Sequence, residues 1–285
     1  VILLDGGGFA SEKKHERDAV GEVTMKIFGI MGYDAVTLGM NDLCLGQDIM
    51  DSARERGDLP LVASNLVYRE TGKPYGEPYL ILEKGGIRLG VIGIINEFGD
   101  IKGCLAADGG VLKILPPGEV LESLVPKIRD RVDVLVLLSR MDKTDTGRLA
   151  DAVPGIDLAL SPGSTRDEKQ NADSVIPVLT FGKYGTELGY VEVTLEEGVA
   201  TVQESRFIKL DCRSVNVPVD ERVNELIGPD FEITLQKINA EKKALEEKKA
   251  LEKARDVWKM SPLDFMRKNS DGRMKEGEEG VPGGS

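Results

Sequence analysis

Apolar positions along the chain fall into short continuous runs separated by helical stripes, the pattern of an α/β fold. Val1-Ile2-Leu3-Leu4-Asp5 is a run of the buried-parallel-strand kind, and the three glycines after it predict a tight turn at the strand's carboxyl end. The strand begins in mid-stride, so the polypeptide is expected to continue upstream of Val1. Val20, Val23, Ile27, Ile30 and Met31 form a helical stripe within His15 to Met31. Ala35-Val36-Thr37-Leu38 is a second strand, running into Gly39. A helix follows over Gln47 to Arg56 and a strand over Leu59 to Leu66, and the segments Tyr79–Leu82 and Ile87–Ile95 flank Gly85-Gly86 as a hairpin. Gly99 to Leu115 is rich in glycine and has no strong period, which predicts an irregular loop. Beyond it the pattern predicts an amphipathic helix over Glu119 to Arg131 with Pro126 inside it, a strand over Val132 to Leu138, and a short helix over Arg148 to Val153.

Further strands are expected from Val175 onward and over Val199 to Ile208, then a short helix over Val223 to Ile227. Past that point the composition changes. Phe231 to Lys259 reads as one long helix carrying the near repeat KKALEE-KKALEK, whose period of six keeps no narrow apolar seam. Its surface is Glu and Lys in i, i+4 pairs. Val257, Trp258, Leu263, Phe265 and Met266 supply apolar surface for docking, and the glycine-rich end from Gly272 to Ser285 is expected to be disordered.

Composition narrows the function classes. With 285 residues, 41% of them hydrophobic, the chain can bury a sizeable core. Its 49 acidic against 37 basic residues give a net charge of −12, which disfavours sequence-independent binding to nucleic acid or anionic lipid. No apolar run of membrane-spanning length and no charged-then-apolar leader is present in the sequence. Cys44, Cys104 and Cys212 have neither zinc-ribbon nor haem-attachment spacing and read as small buried side chains, at least one necessarily unpaired within the chain. His15 is the sole histidine and reads as a solvated helix-start residue.

The chemistry-bearing stretch is GYDAVTLGMNDL, from Gly32 to Leu43. It resembles the segment GYDAVTLGNHEFD of 5′-nucleotidase-type metallophosphoesterases, the family of periplasmic and surface nucleotidases and sulfate thiohydrolases. Leu3-Leu4-Asp5-Gly6-Gly7 is similar to the family's LLLDAGD, GIRLGVIGII to GVKIGVIGL, and PGIDLALSPGST to PGIDLIIGGHSH. The resemblance covers about 225 residues, an extent counted over the matched segments of an α/β pattern. It implies an α/β sandwich of two mixed sheets over residues 1–228, with the family's first strand and Asp-x-His motif upstream of Val1. A long charged helical arm over 229–270 and a disordered tail over 271–285 would complete the chain.

The same resemblance implies that the family's two-metal chemistry is lost. Its metal-bridging Asp falls on Gly8, its metal-binding Asn on Met40, its acid His on Asn41, a metal-binding His on Arg140, and two metal-facing His on Gly163 and Thr165. Asp5 and Asp42 remain, and Arg140 is expected to replace the metal charge by pairing with one of them. A nucleophilic Cys44 would have no histidine to activate it. The leading expectation is therefore a catalytically inactive metallophosphoesterase-like domain. It would have no cofactor and would be a structural or partner-binding module of an exported or surface assembly, contacting other protein chains through the carboxyl-terminal helix. The alternatives are a 5′-nucleotidase-like phosphoesterase with an atypical site and an accessory subunit of a redox (cytochrome) assembly.

Overall fold

The computed structural model describes residues 1–96, 104–105, 110–163, 174–182, 185–196, 198–210 and 220–258, with backbone alone at 230 and 253–258. The chain forms two compact units, Val1–Phe231 and Glu232–Ser285. In chain order the first contains β1 (Leu4–Asp5), α1 (Arg17–Met31), β2 (Ala35–Val36), a 3-10 turn (Asp42–Cys44), α2 (Gln47–Arg56), β3 (Leu66–Tyr68), β4 (Leu80–Lys84) and β5 (Ile87–Ile94). It continues with β6 (Leu112–Ile114), α3 (Pro117–Ile128), β7 (Val134–Ser139), α4 (Lys143–Ala152), β8 (Leu158–Pro162), β9 (Val178–Phe181), β10 (Glu187–Glu196), β11 (Val199–Lys209) and α5 (Glu221–Leu226). The final helix, α6, spans Pro229–Trp258.

Hydrogen bonding divides the strands into one five-stranded mixed sheet, ordered β4-β5-β7-β8-β9, and three two-stranded pieces, β1-β2, β3-β6 and β10-β11. Strands β5, β7, β8 and β9 run parallel, while β4 returns antiparallel to β5 across Gly85 and Gly86, both left-handed. Left-handed conformations at both central residues suit the twist of a two-residue hairpin turn.

Every residue of β7 is buried, as an unbroken apolar strand covered on both faces requires. On one face Leu135 and Leu137 pack with Ile92, Ile94 and Ala159 beneath Leu121, Val125 and Ile128 of α3. On the opposite face Val134, Val136 and Leu158 meet Val191, Val193 and Val202 of the β10-β11 hairpin. A separate cluster around Met25 and Phe28 of α1 encloses Val36, Leu38, Leu43 and Leu45. It fixes the approach to the carboxyl ends of β1 and β2.

Four sequence expectations are corrected. The expected loop over Gly99–Leu115 contains β6, which pairs antiparallel with β3 from Leu66↔Ile114 to Tyr68↔Leu112. Three residues are too few to show a period. The expected strand over Leu59–Leu66 reduces to single bridges at Leu61 and Val62. The Asn65 side chain there donates to the carbonyls of Ile95 and Leu115 and accepts from the Ile95 N–H, taking over the role of a backbone ladder. Helix α4 begins at Lys143, earlier than expected, because the Asp142 carboxylate caps it by accepting from Asp145 N at 2.9 Å. The amphipathic segment is helical from Pro117 to Ile128 and closes in a 3-10 turn, Arg129–Arg131. The tail from 271 to 285 lies outside the described residues.

Candidate functional site at the strand ends

The parallel strands β1 and β2 deliver two glycine turns side by side. Asp5 closes the first, its Oδ1 accepting from Gly7 N at 2.8 Å. Gly7 is left-handed, and a Cβ there would stand 2.7 Å from the Thr37 carbonyl oxygen, so no side chain fits. The second turn passes through Gly39 into the 3-10 turn at Asp42.

Asp42 is fully buried and gathers both turns. Its Oδ2 accepts from Gly8 N at 2.6 Å and Gly39 N at 2.7 Å, and its Oδ1 accepts from Ala10 N at 2.8 Å. Burial pushes the Asp42 carboxyl up to about 6, against the pull of these three N–H groups and of the Arg140 charge. Burial also raises Asp5, opposed by the Gly7 N–H and Arg140.

Arg140 enters from the carboxyl end of β7, where its own N–H continues the strand by donating to the Ile94 carbonyl. Its Nη1 donates to the Gly7 carbonyl at 3.1 Å. Its Nη2 lies 3.0 Å from where a Cβ on Gly8 would stand and 3.1 Å from the equivalent point on Gly39. Its Nε is buried without a hydrogen-bond partner. Burial lowers the guanidinium, and the Asp42 and Asp5 charges oppose that shift. Arg140 thus occupies the expected place, but its described hydrogen bond goes to a carbonyl and not to either carboxylate. The Arg140 charge still acts on both carboxylates; the difference from the expected pairing is that its described hydrogen bond is to the Gly7 carbonyl, while Asp42 is held by three backbone amides and Asp5 by one.

The remaining expected positions are scattered. Met40 is 37% exposed, and Asn41 precedes the 3-10 turn, its carbonyl accepting from Cys44 N. Gly163 is buried and donates its N–H to the Phe181 carbonyl. Thr165, Leu263, Phe265 and Met266 lie outside the described residues, as do the side chains of Val257 and Trp258. Ser139 turns away from the turns, its hydroxyl accepting from Met141 N and from the Thr146 hydroxyl. His15 is half-buried, not solvated as expected, with Nε2 3.6 Å from Glu16 Oε1.

Cys44 and Cys104 form a disulfide, which corrects their reading as independent apolar side chains. A separation of 60 positions and the lack of a motif left this pairing without a sequence signal. The bond also removes Cys44 as a thiol nucleophile.

The family resemblance implies metal ions, and the donors gathered here among the described residues do not fit them. Among the described residues no group of three or more His, Cys, Asp or Glu could hold a metal ion. Asp5 and Asp42 already accept backbone N–H bonds, and a guanidinium stands beside them where a dication would be repelled.

The mixed five-stranded sheet, covering helices and glycine turns at strand ends define a calcineurin-like phosphoesterase fold. A 5′-nucleotidase precursor from Thermus thermophilus superposes with a TM-score of 0.67 at 18% identity, over 82% of this chain and 50% of that one. The calcineurin-like phosphoesterase YfkN of Bacillus subtilis superposes with a TM-score of 0.62 at 20% identity, over 84% and 85%. In sequence, the 5′-nucleotidase of Vibrio cholerae is 26% identical over 163 residues, 56% of this chain. The match spans only 29% of that relative's length. No protein-family model matches the chain. In sequence and in fold the chain is thus similar to 5′-nucleotidase-type metallophosphoesterases.

Proposed function

We propose that this domain keeps the 5′-nucleotidase-type scaffold without metal-dependent hydrolysis and serves as a structural or partner-binding module of an exported or surface assembly. The observation that carries the reading is the occupancy of the strand-end pocket. The buried Asp42 is held by three backbone amides, and a guanidinium fills the space beside Gly8. Two-metal hydrolysis needs a pair of cations held about 3.5–4 Å apart by nitrogen and carboxylate donors, and among the described residues no group of three or more His, Cys, Asp or Glu supports such a pair. The Cys44–Cys104 disulfide supports an oxidising, extracytoplasmic setting. The competing reading, a metal-dependent nucleotidase with an atypical site, is favoured by the likeness to a named 5′-nucleotidase.

Metal analysis together with assays on nucleoside monophosphates and a chromogenic phosphodiester, with added Mn²⁺, Zn²⁺ or Ca²⁺, separates the two readings. We expect neither bound metal nor turnover. Stoichiometric metal, or metal-dependent turnover in the ordinary range of about 1–10³ s⁻¹, establishes the competing reading.

Helix α6 is the attachment arm in this proposal. Its Ile233, Leu245 and Leu251 are exposed, and an i, i+4 pair such as Lys242–Glu246 adds only about 0.2–0.5 kcal/mol of helix stability. Val257, Trp258, Leu263, Phe265 and Met266 are the proposed docking residues. Truncation after Asp230 is expected to leave the melting midpoint of the first unit unchanged while abolishing co-purification of a partner. Unfolding of the truncated protein makes the helix part of the core instead.

A further inference from the structure

The disulfide sits where it can act on the strand-end pocket. Cys44 closes the 3-10 turn whose first residue, Asp42, gathers the amides of Gly8, Ala10 and Gly39. A three-residue turn has little cooperativity of its own, so its neighbours must hold it. Its local bonds, Leu43 N to the Gly39 carbonyl and Leu45 N to the Asp42 carbonyl, stay within a few residues. Its ties to the distant 104–105 segment are the disulfide and the 2.7 Å bond from Leu105 N to the Leu43 carbonyl. The Leu105 carbonyl in turn accepts from Leu112 N at 2.8 Å, and Leu112 is the first residue of β6, so the staple is anchored in the β3-β6 ladder.

We propose that Cys44–Cys104 is a redox-responsive staple that holds Asp42 beneath the two glycine turns. In the oxidised form the turn cannot drift from β6, and Asp42 keeps its three amides. In the reduced form Leu105 and Leu43 share a single hydrogen bond, and the common acceptor of both turns is released. The reductant is a dithiol. One of its thiolates attacks a Cys sulfur to give a mixed disulfide, and its second thiol displaces the protein thiol. Two electrons and two protons pass to Cys44 and Cys104, and the dithiol leaves as a disulfide. Cys44 is the more exposed partner, with Cys104 only 8% exposed, so the attack falls on the Cys44 sulfur. The proposal rests on the Asp42 geometry and is independent of whether the domain hydrolyses phosphoesters.

Residue-resolved amide exchange on the full chain, in a Cys212→Ser background, tests it. Reduction by a dithiol, confirmed by counting two free thiols, is expected to speed exchange at Gly8, Ala10 and Gly39 by roughly tenfold or more, with Ile92 and Leu137 unchanged. Glutathione disulfide should restore protection, and Cys44→Ser/Cys104→Ser should reproduce the reduced pattern without reductant. Unchanged exchange at the three amides overturns the proposal. So does uniform acceleration that includes Ile92 and Leu137, which would make the bond a general stabiliser.

Discussion

Strand β7 carries an arginine at each end, and the two are used in opposite ways. Before the strand, Arg129 donates through Nη1 to Asp157 Oδ2 at 2.5 Å and to the Gly155 carbonyl, and through Nη2 to the Asp133 carbonyl. Asp157 Oδ2 also accepts from Leu135 N, so this carboxylate locks the starts of β7 and β8 together. After the strand, Arg140 makes one described bond, to the Gly7 carbonyl, and leaves Nε unpartnered. The difference lies in the carboxylates. Asp157 takes one amide and keeps room for a guanidinium, Asp42 takes three amides, and Asp5, which takes one, is passed over because the guanidinium is turned to the Gly7 carbonyl. An arginine beside a buried aspartate is therefore no evidence of an ion pair until the backbone donors have been counted.

The contrast is tested most severely at Asp42. Asp42→Ala strands three buried N–H groups and should lower unfolding stability by at least about 3 kcal/mol in urea denaturation. The pH dependence carries a sign as well. Burial lifts the folded carboxyl to about 6 from 3.8, so its protonation favours the folded state. That contribution is complete below about pH 4 and is lost as pH rises through about 6. The stability gap between wild type and Asp42→Asn should therefore narrow across that window, and a gap that widens would refute the upward shift.

Smaller effects separate the two arginines. Arg129→Ala should cost about 2 kcal/mol, since it unpairs Asp157 at a partly exposed site. Arg140→Met should stay within about 1 kcal/mol of wild type, because an under-bonded buried cation gives back its desolvation cost when replaced by an apolar chain of similar length. If urea midpoints show Arg140→Met to be as damaging as Arg129→Ala, the contrast fails.

The sequence made the central sheet legible wherever burial on both faces leaves apolar runs, as in β7 and the second half of β5. It also made legible the placing of Arg140 beside Gly8 and Asp42, through the family resemblance. It did not reveal β6, whose Leu-Lys-Ile is too short to show alternation, nor the Asn65 side chain standing in for ladder bonds. The disulfide was hidden because proximity across 60 positions is a tertiary fact. The pairing of Asp42 was misread for a related reason: backbone amides are identical in every residue, and only the fold shows where three of them converge.

Position 8 and position 140 interlock like a bolt and its slot. Gly8 is left-handed, at φ 83°, and the guanidinium lies 3.0–3.4 Å from the point where a Cβ would project. Any side chain at position 8 meets both an unfavourable backbone and an occupied volume. A histidine at position 140 would empty that volume yet still face a glycine with no ligand atom to share a metal. Position 140 must therefore give up its guanidinium before position 8 can take a side chain, so geometry sets the order in which the two could change. The two residues, on neighbouring loops, thus form a lock with one order of opening.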